Sequence, residues 1–279
     1  MIALVTGASA GIGKATALRL LKDGHTVYAA ARRMKKMQDL KEMGVHVLKM
    51  DVTDKQSVDT AIRTISEAHG GVDILVNNAG VAQQGAVEDV SIDKAKAEFD
   101  VNLFSAAYLI DLCLPHMREN GYGKIINVTS IAGRIFAPMT GWYFSSKYAL
   151  EGLSKCLRIE AKSFGIDVVI IQPGLISSEM TDITIGNLLR NSGKGVYGKG
   201  ANYIGDFMNS YKSIESSPDV VARAISRAVK SKHPKHRYAV GRFAKLSLLL
   251  FWLVPDRLLT KIYTIKFKSI MKKGQTTST

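Results

Sequence analysis

The chain has 279 residues, 46% hydrophobic and 22% charged: enough apolar content for one large core, and too much for a disordered chain. Lys and Arg number 38 against 24 Asp and Glu, a formal net charge of +14. So basic a balance fits a nucleotide phosphate, an acidic carrier protein or a membrane surface, or else a solvated basic face; no recognised nucleic-acid motif occurs.

Ile2 to Val5 is a short apolar run, read as the first strand. Thr6-Gly7-Ala8-Ser9-Ala10-Gly11-Ile12-Gly13 follows, then a helix from about Ile12 to Lys22 that ends at Gly24. Glycines at a strand-to-helix junction let the backbone approach a diphosphate and turn the helix N-terminus toward it. Thr26 to Ala31 is the second strand, with Arg32-Arg33 directly after it. Dinucleotide folds place an acidic residue here to hold a ribose 2′-hydroxyl. A guanidinium fits a 2′-phosphate instead, so NADP(H) is expected over NAD(H).

Val45 to Met50 reads as a third strand, with His46 pointing outward and Asp51-Val52 at its end. A helix is expected over Lys55 to Ala68, and a fourth strand over Val72 to Val76, closed by Asn77-Asn78-Ala79-Gly80. One long helix is expected from about Ile92 to Met117, containing Asn102 and bent near Pro115.

Lys124 to Thr129 is a β-branched run, a buried strand with Ser130 at its end. Tyr143 to Phe164 carries Ala149, Leu150, Leu153 and Leu157 at helical spacing, so Tyr143 and Lys147 share a face one turn apart. A hydroxyl, a phenol and an ammonium thus gather at the carboxyl end of a strand, where open α/β folds keep ligands. Hydride arriving at a carbonyl carbon leaves charge on oxygen, which needs a proton and a hydrogen bond. Tyr143 fits the proton donor and Ser130 the hydrogen-bond donor. Lys147 is expected to lower the Tyr143 pKa from its usual value of about 10.

A sixth strand, Asp167 to Ile171, is closed by Pro173-Gly174. Strands alternating with helices in this rhythm mean βαβ units and a parallel sheet.

Leu175 to about Asn209 holds Gly186, Gly193, Gly195, Gly198 and Gly200, the composition of a mobile lid. Phe136, Met139, Trp142, Met180 and Ile183 either line an apolar pocket or pack the core. A helix over Pro218 to Val229 and a last strand over His236 to Val240 precede Leu246 to Val254, apolar on all sides. A further segment mixes Leu258, Leu259, Ile262, Ile265 and Phe267 with Arg257, Lys261, Lys266, Lys268, Lys272 and Lys273. This tail either covers the pocket or another subunit, or sits at an anionic membrane surface, or is a disordered end, the last suiting Gly274 to Thr279.

Cys113 and Cys156 each lie in an apolar helical pattern, as buried packing residues of a reducing compartment rather than a disulfide. With no secretory signal and no apolar run of the ~20 residues that span a bilayer, a cytoplasmic protein is expected, peripheral to a membrane if the tail meets one. No metal site is expected.

The ordered set Thr6-Gly7-x-x-x-Gly11-x-Gly13, Asn77-Asn78-Ala79-Gly80, Asn102, Ser130, Tyr143-x-x-x-Lys147 and Pro173-Gly174 resembles the short-chain dehydrogenase/reductase family. The tail is similar to that of 17β-hydroxysteroid and retinol dehydrogenases. The resemblance implies a doubly wound Rossmann sheet, with residues 1–241 as the catalytic domain, a substrate lid at about 175–209, and residues 242–279 as a helical extension of the same domain. It implies Tyr143 as acid/base, Ser130 positioning the carbonyl, Lys147 holding the nicotinamide ribose, and Asn102 holding a water that relays protons. It implies Gly7, Ser9, Gly11, Ile12 and Gly13 at the diphosphate. Asp51, Val52, Asn78, Ala79 and Gly80 fall around the adenosine and ribose, and Pro173, Gly174, Ile176 and Ser178 at the carboxamide. The expected activity is NADP(H)-dependent interconversion of an alcohol and a ketone or aldehyde on a hydrophobic steroid-, retinoid- or fatty-acyl-like substrate, by a dimer or tetramer. The rivals are a 3-oxoacyl-carrier-protein reductase and a non-catalytic NADPH-sensing or scaffold protein.

Overall fold

The computed structural model describes residues 1–272; Lys273 and the Gly274 to Thr279 end expected to be irregular lie outside the described residues. Seven strands form one sheet: β1 (Ile2–Thr6), β2 (Thr26–Ala31), β3 (His46–Lys49), β4 (Ile74–Asn77), β5 (Gly123–Val128), β6 (Ile166–Pro173) and β7 (Arg237–Val240). All neighbours are parallel, in the order β3-β2-β1-β4-β5-β6-β7. The order reverses between β1 and β4, so their carboxyl ends open the crevice where such sheets bind ligands.

Alternate residues of each strand feed two cores. Ala3, Val5, Val76 and Ile126 pack with Leu20 of α1 (Gly11–Lys22) and with Val221 and Ile225 of α9 (Asp219–Lys230). Leu4, Leu75 and Ile125 pack on the other face with Ile65 of α3 (Lys55–His69), Leu109 of α5 (Ser105–Glu119) and Leu157 of α6 (Gly141–Lys162). Burial on both faces is what the continuous apolar strands required. The short α2 (Gln38–Glu42) follows a single 3-10 turn after β2.

At four places the structure refines or departs from the sequence reading. The expected long helix is α4 (Ile92–Phe99) and α5 joined by a π-helical turn, Asp100–Phe104, which carries Asn102. The stretch expected as a lid is built of two helices, α7 (Glu179–Ser192) and α8 (Gly198–Ser210). Gly200 serves close packing: a Cβ there would sit 2.8 Å from the Phe267 ring and 3.0 Å from Met139. Cys156 is exposed, because α6 turns Leu150, Ser154 and Leu157 inward; Cys113 is buried, and both are free thiols. The tail forms α10 (Ala244–Leu253) and α11 (Asp256–Lys272). His46 points outward as expected and stacks on Tyr28 at 4.7 Å.

Candidate active site

The crevice is built from Thr6 upward. Its hydroxyl accepts the N–H groups of Asn78 (3.0 Å) and Ala79 (2.9 Å), and the Asn78 amide donates to the Thr6 carbonyl at 2.8 Å. These bonds weld the end of β4 onto the glycine turn. Gly7 has φ +66°, and a Cβ there would lie 2.9 Å from the Ala79 Cα; a Cβ at Gly13 would lie 2.5 Å from the Gly7 carbonyl oxygen. Side chains are excluded on both sides, so the turn stays flat against α1. At the start of α1, Ala10 offers no side-chain cap, and the first turn carries no acidic residue. The free N–H groups of that turn fit a diphosphate. Ser178, after β6, closes on Gly11: a Cβ at Gly11 would lie 3.5 Å from the Ser178 Cβ.

The two arginines after β2 diverge. Arg32 is 71% exposed at its side chain and reaches Asp51 at 3.8 Å, while Asp51 is tied down by the Thr53 N–H at 3.1 Å. Val52 lies half-buried beside it. Arg33 folds back onto the glycine turn and donates to the Ser9 hydroxyl through Nε (3.1 Å) and Nη2 (3.0 Å). Its Nη1 donates to Glu179, the first residue of α7, which Lys36 also pairs. Of the pair, Arg33 is therefore the cation aimed at the turn.

Ser130 leaves β5 and caps a 3-10 turn, its hydroxyl accepting the Ala132 N–H at 3.1 Å. Tyr143 and Lys147 stand one turn apart on α6, with the Lys147 ammonium 6.0 Å from the Tyr143 ring centroid and donating to the Val128 carbonyl at 3.3 Å. The π-helical turn swings Asn102 inward, where its Nδ2 donates to the Val81 carbonyl and to the Ser146 hydroxyl, both at 2.9 Å, and its Oδ1 accepts the Val81 N–H at 2.9 Å. Thr129 is turned away: its hydroxyl donates to the Ile171 carbonyl at 3.0 Å.

A cavity of about 210 Å³ joins the two halves. Ile12, Asn78 and Gly80 line one end, and Ser130, Tyr143 and Lys147 one wall. Pro173, Gly174, Ile176 and Ser178 form the opposite wall, and Met180, Thr181 and Thr184 of α7 with Met208 of α8 close the top. Of the five apolar residues singled out for a pocket, Met180 lines it. Met139 packs with Leu188 and Ala201, Phe136 against Phe251 and Tyr263, and the Trp142 indole donates to the Val87 carbonyl. Ile183 stands exposed on α7.

The electrostatics depart from the expectation for Tyr143. Burial pushes its phenol up to about 12, the Ser130 hydroxyl pulls it down, and the Glu98 carboxylate pushes it up; Lys147 is not among the groups that shift it. Burial lowers Lys147 to about 8, against support from Glu98. Glu98 itself is 1% exposed. One of its oxygens accepts the Gln83 N–H at 2.9 Å and the other has no partner. Burial raises it to about 7. Glu98, Thr6 and Glu179 were not legible as site residues. Thr6 stood inside a motif without a role, Glu98 reads as one more charge on an amphipathic helix, and Glu179 meets Arg33 across 146 positions.

The short chain dehydrogenase family model matches residues 1–185. The chain belongs to the short-chain dehydrogenase family. The chain is 36% identical over 246 residues to the 3-ketodihydrosphingosine reductase of Bacteroides thetaiotaomicron, covering 86% of this chain and 87% of that protein. It is 32% identical over 283 residues to the NADPH-dependent 3-dehydrocapnine reductase of Ornithobacterium rhinotracheale, covering 98% and 99%. Its fold matches a solved short-chain dehydrogenase from Streptomyces avermitilis with a TM-score of 0.81, at 28% identity over 98% of both chains. Family relatives are oxidoreductases that use nicotinamide cofactors, in keeping with a crevice whose uncapped helix turn and side-chain-free glycine turn fit a dinucleotide.

Proposed function

We propose that the protein is an NADP(H)-dependent oxidoreductase interconverting a ketone or aldehyde and an alcohol on a hydrophobic substrate of steroid, retinoid or fatty-acyl type. The observation that carries this reading is the cavity lined by Ser130, Tyr143 and Lys147 together with Ile12 of the glycine turn. A bound nicotinamide supplies the hydride. Gly7, Gly11, Gly13 and the first turn of α1 hold the diphosphate, and Arg33 with Lys36 the 2′-phosphate. Ser130 donates to the substrate oxygen and Tyr143 delivers its phenolic proton there. Lys147 holds the nicotinamide ribose, and Asn102 keeps the Val81 turn against α6 so that a proton path to Lys147 stays in register.

Met180 and Met208 over the cavity favour an apolar substrate body. Two relatives are named as reductases, one of 3-ketodihydrosphingosine and one, NADPH-dependent, of 3-dehydrocapnine. Two free cysteines and a reduced cofactor suit a cytoplasmic enzyme, and a dimer or tetramer is the assembly the family implies.

The test is NADPH consumption against ketosteroids, retinal, a sphingoid ketone and simple ketones, with NADH in parallel. Turnover with NADPH on the apolar ketones is expected. A preference for NADH overturns the role of Arg33; silence on every carbonyl with NADPH still bound overturns the reductase reading in favour of a sensor. The charge of +14 favours one second reading, a reductase of 3-oxoacyl groups on an acidic carrier, tested on a carrier-linked substrate.

A further inference from the structure

Helices α10 and α11 present apolar side chains on the face turned away from the protein. On α10, Leu246, Leu249, Leu250, Trp252 and Leu253 are exposed, Trp252 at 74%, while Ala244 and Phe251 face inward. On α11 the exposed apolar residues are Leu258, Ile262 and Ile265, spaced four and three apart, so they form one stripe. The inward face of α11 is already occupied, with Tyr263 packed against Phe136 and Phe267 against the α8 backbone at Gly200. The outer stripe is therefore not part of the core this chain builds.

Charge says what covers it. From Ala244 to Lys272 there are six cations and one carboxylate, Asp256. At 100° per residue, Lys261, Lys268 and Lys272 flank one side of the stripe and Lys266 the other, all within roughly 80° of Leu258. A cleft of about 520 Å³ opens at the foot of α10 and is lined by Arg223, Arg227 and Lys245 together with Phe243 and Leu246. None of these three cations has a carboxylate within 4 Å among the described residues. Leu246 belongs both to the cleft and to the exposed face, so the two are continuous. A second copy pairing through this face would set cations against cations. No described helix is long and apolar enough to cross a membrane.

We propose that the outer face of α10 and α11 docks on an anionic bilayer, its apolar side chains in the interface and a lipid phosphate in the Arg223, Arg227 and Lys245 cleft. The test uses the full chain with phosphatidylcholine vesicles, with and without phosphatidylglycerol. Co-sedimentation with the anionic vesicles alone is expected, weakening with salt, with a blue shift in emission that Trp252→Phe removes. Leu249→Glu with Ile262→Glu, both at exposed positions, should abolish binding without changing the melting temperature or turnover of a water-soluble carbonyl. Arg223→Gln, Arg227→Gln and Lys245→Gln together should weaken it by about fivefold per charge. No binding to either vesicle, equal binding to both, or undiminished binding by the triple variant overturns the proposal. So does a stable dimer in solution that Leu249→Glu dissociates.

Discussion

Arg33 Nη1 lies 2.7 Å from the Glu179 carboxylate, so the cation after β2 is held by the first residue of the helix that roofs the cavity. An internal anion thus occupies the cation assigned to the 2′-phosphate. Arg33→Ala should weaken NADPH binding by about 10- to 100-fold, the worth of charged hydrogen bonds, and leave NADH binding unchanged by calorimetry. Glu179→Gln should tighten NADPH binding by about two- to fivefold, as expected for removal of exposed ion pairs. Weaker binding would mean that Glu179 supports the cation instead of competing for it.

Tyr143→Phe removes the only phenol that lines the cavity among the described residues and keeps the ring. Turnover should fall by about 10²- to 10⁴-fold, the usual contribution of a positioned acid, with NADPH affinity unchanged. Normal turnover in this variant would end the acid/base assignment.

Glu98 titrates higher in the fold than in the unfolded chain, about 7 against 4.5. The fold therefore holds more protons than the unfolded chain in that window, and stability is greatest below pH 4.5 and declines as pH rises to 7. Glu98→Gln should remove that slope and stabilise the protein at pH 8 by up to ~3 kcal/mol, read from denaturant midpoints across pH. The same variant strips carboxylate support from Lys147, so any limb of the pH–rate profile near 8 should move to lower pH. An unmoved limb would separate Glu98 from Lys147.

At Gly13 an added Cβ meets backbone, 2.5 Å from the Gly7 oxygen and 2.9 Å from the Gly7 carbonyl carbon. Gly13→Ala should cost about 1–3 kcal/mol and abolish dinucleotide binding, measured by thermal unfolding with and without NADPH. Full stabilisation by NADPH in this variant would contradict the close approach of backbone and diphosphate.

The sheet was legible because its strands are buried on both faces, so Ile2 to Val5 reads as an apolar run and Lys124 to Thr129 as a β-branched one, each next to a glycine turn. Ser130, Tyr143 and Lys147 were legible because strand end and helix spacing alone bring them together. The π-helical turn at Asn102 was not, since one extra residue per turn leaves no mark in composition. Cys156 misled because it lies inside an apolar helical pattern, yet its own helical phase decides which side of α6 it faces. Gly200 was not legible as a contact point, because its partner Phe267 lies 67 positions away in sequence.

The parallel order of the sheet also fixes when the crevice can exist. Thr6 is welded to Asn78 and Ala79 across more than 70 positions, and Ser130 reaches the Pro173 carbonyl across 43. No hairpin brings these ends together early; each strand waits for the crossover that delivers its neighbour. During refolding, helical signal should return well before the ability to bind a dinucleotide, because the glycine turn has no floor until β4 slots in beside β1. The ligand site is thus a late product of assembly, and chains halted before that step would carry helices but no crevice.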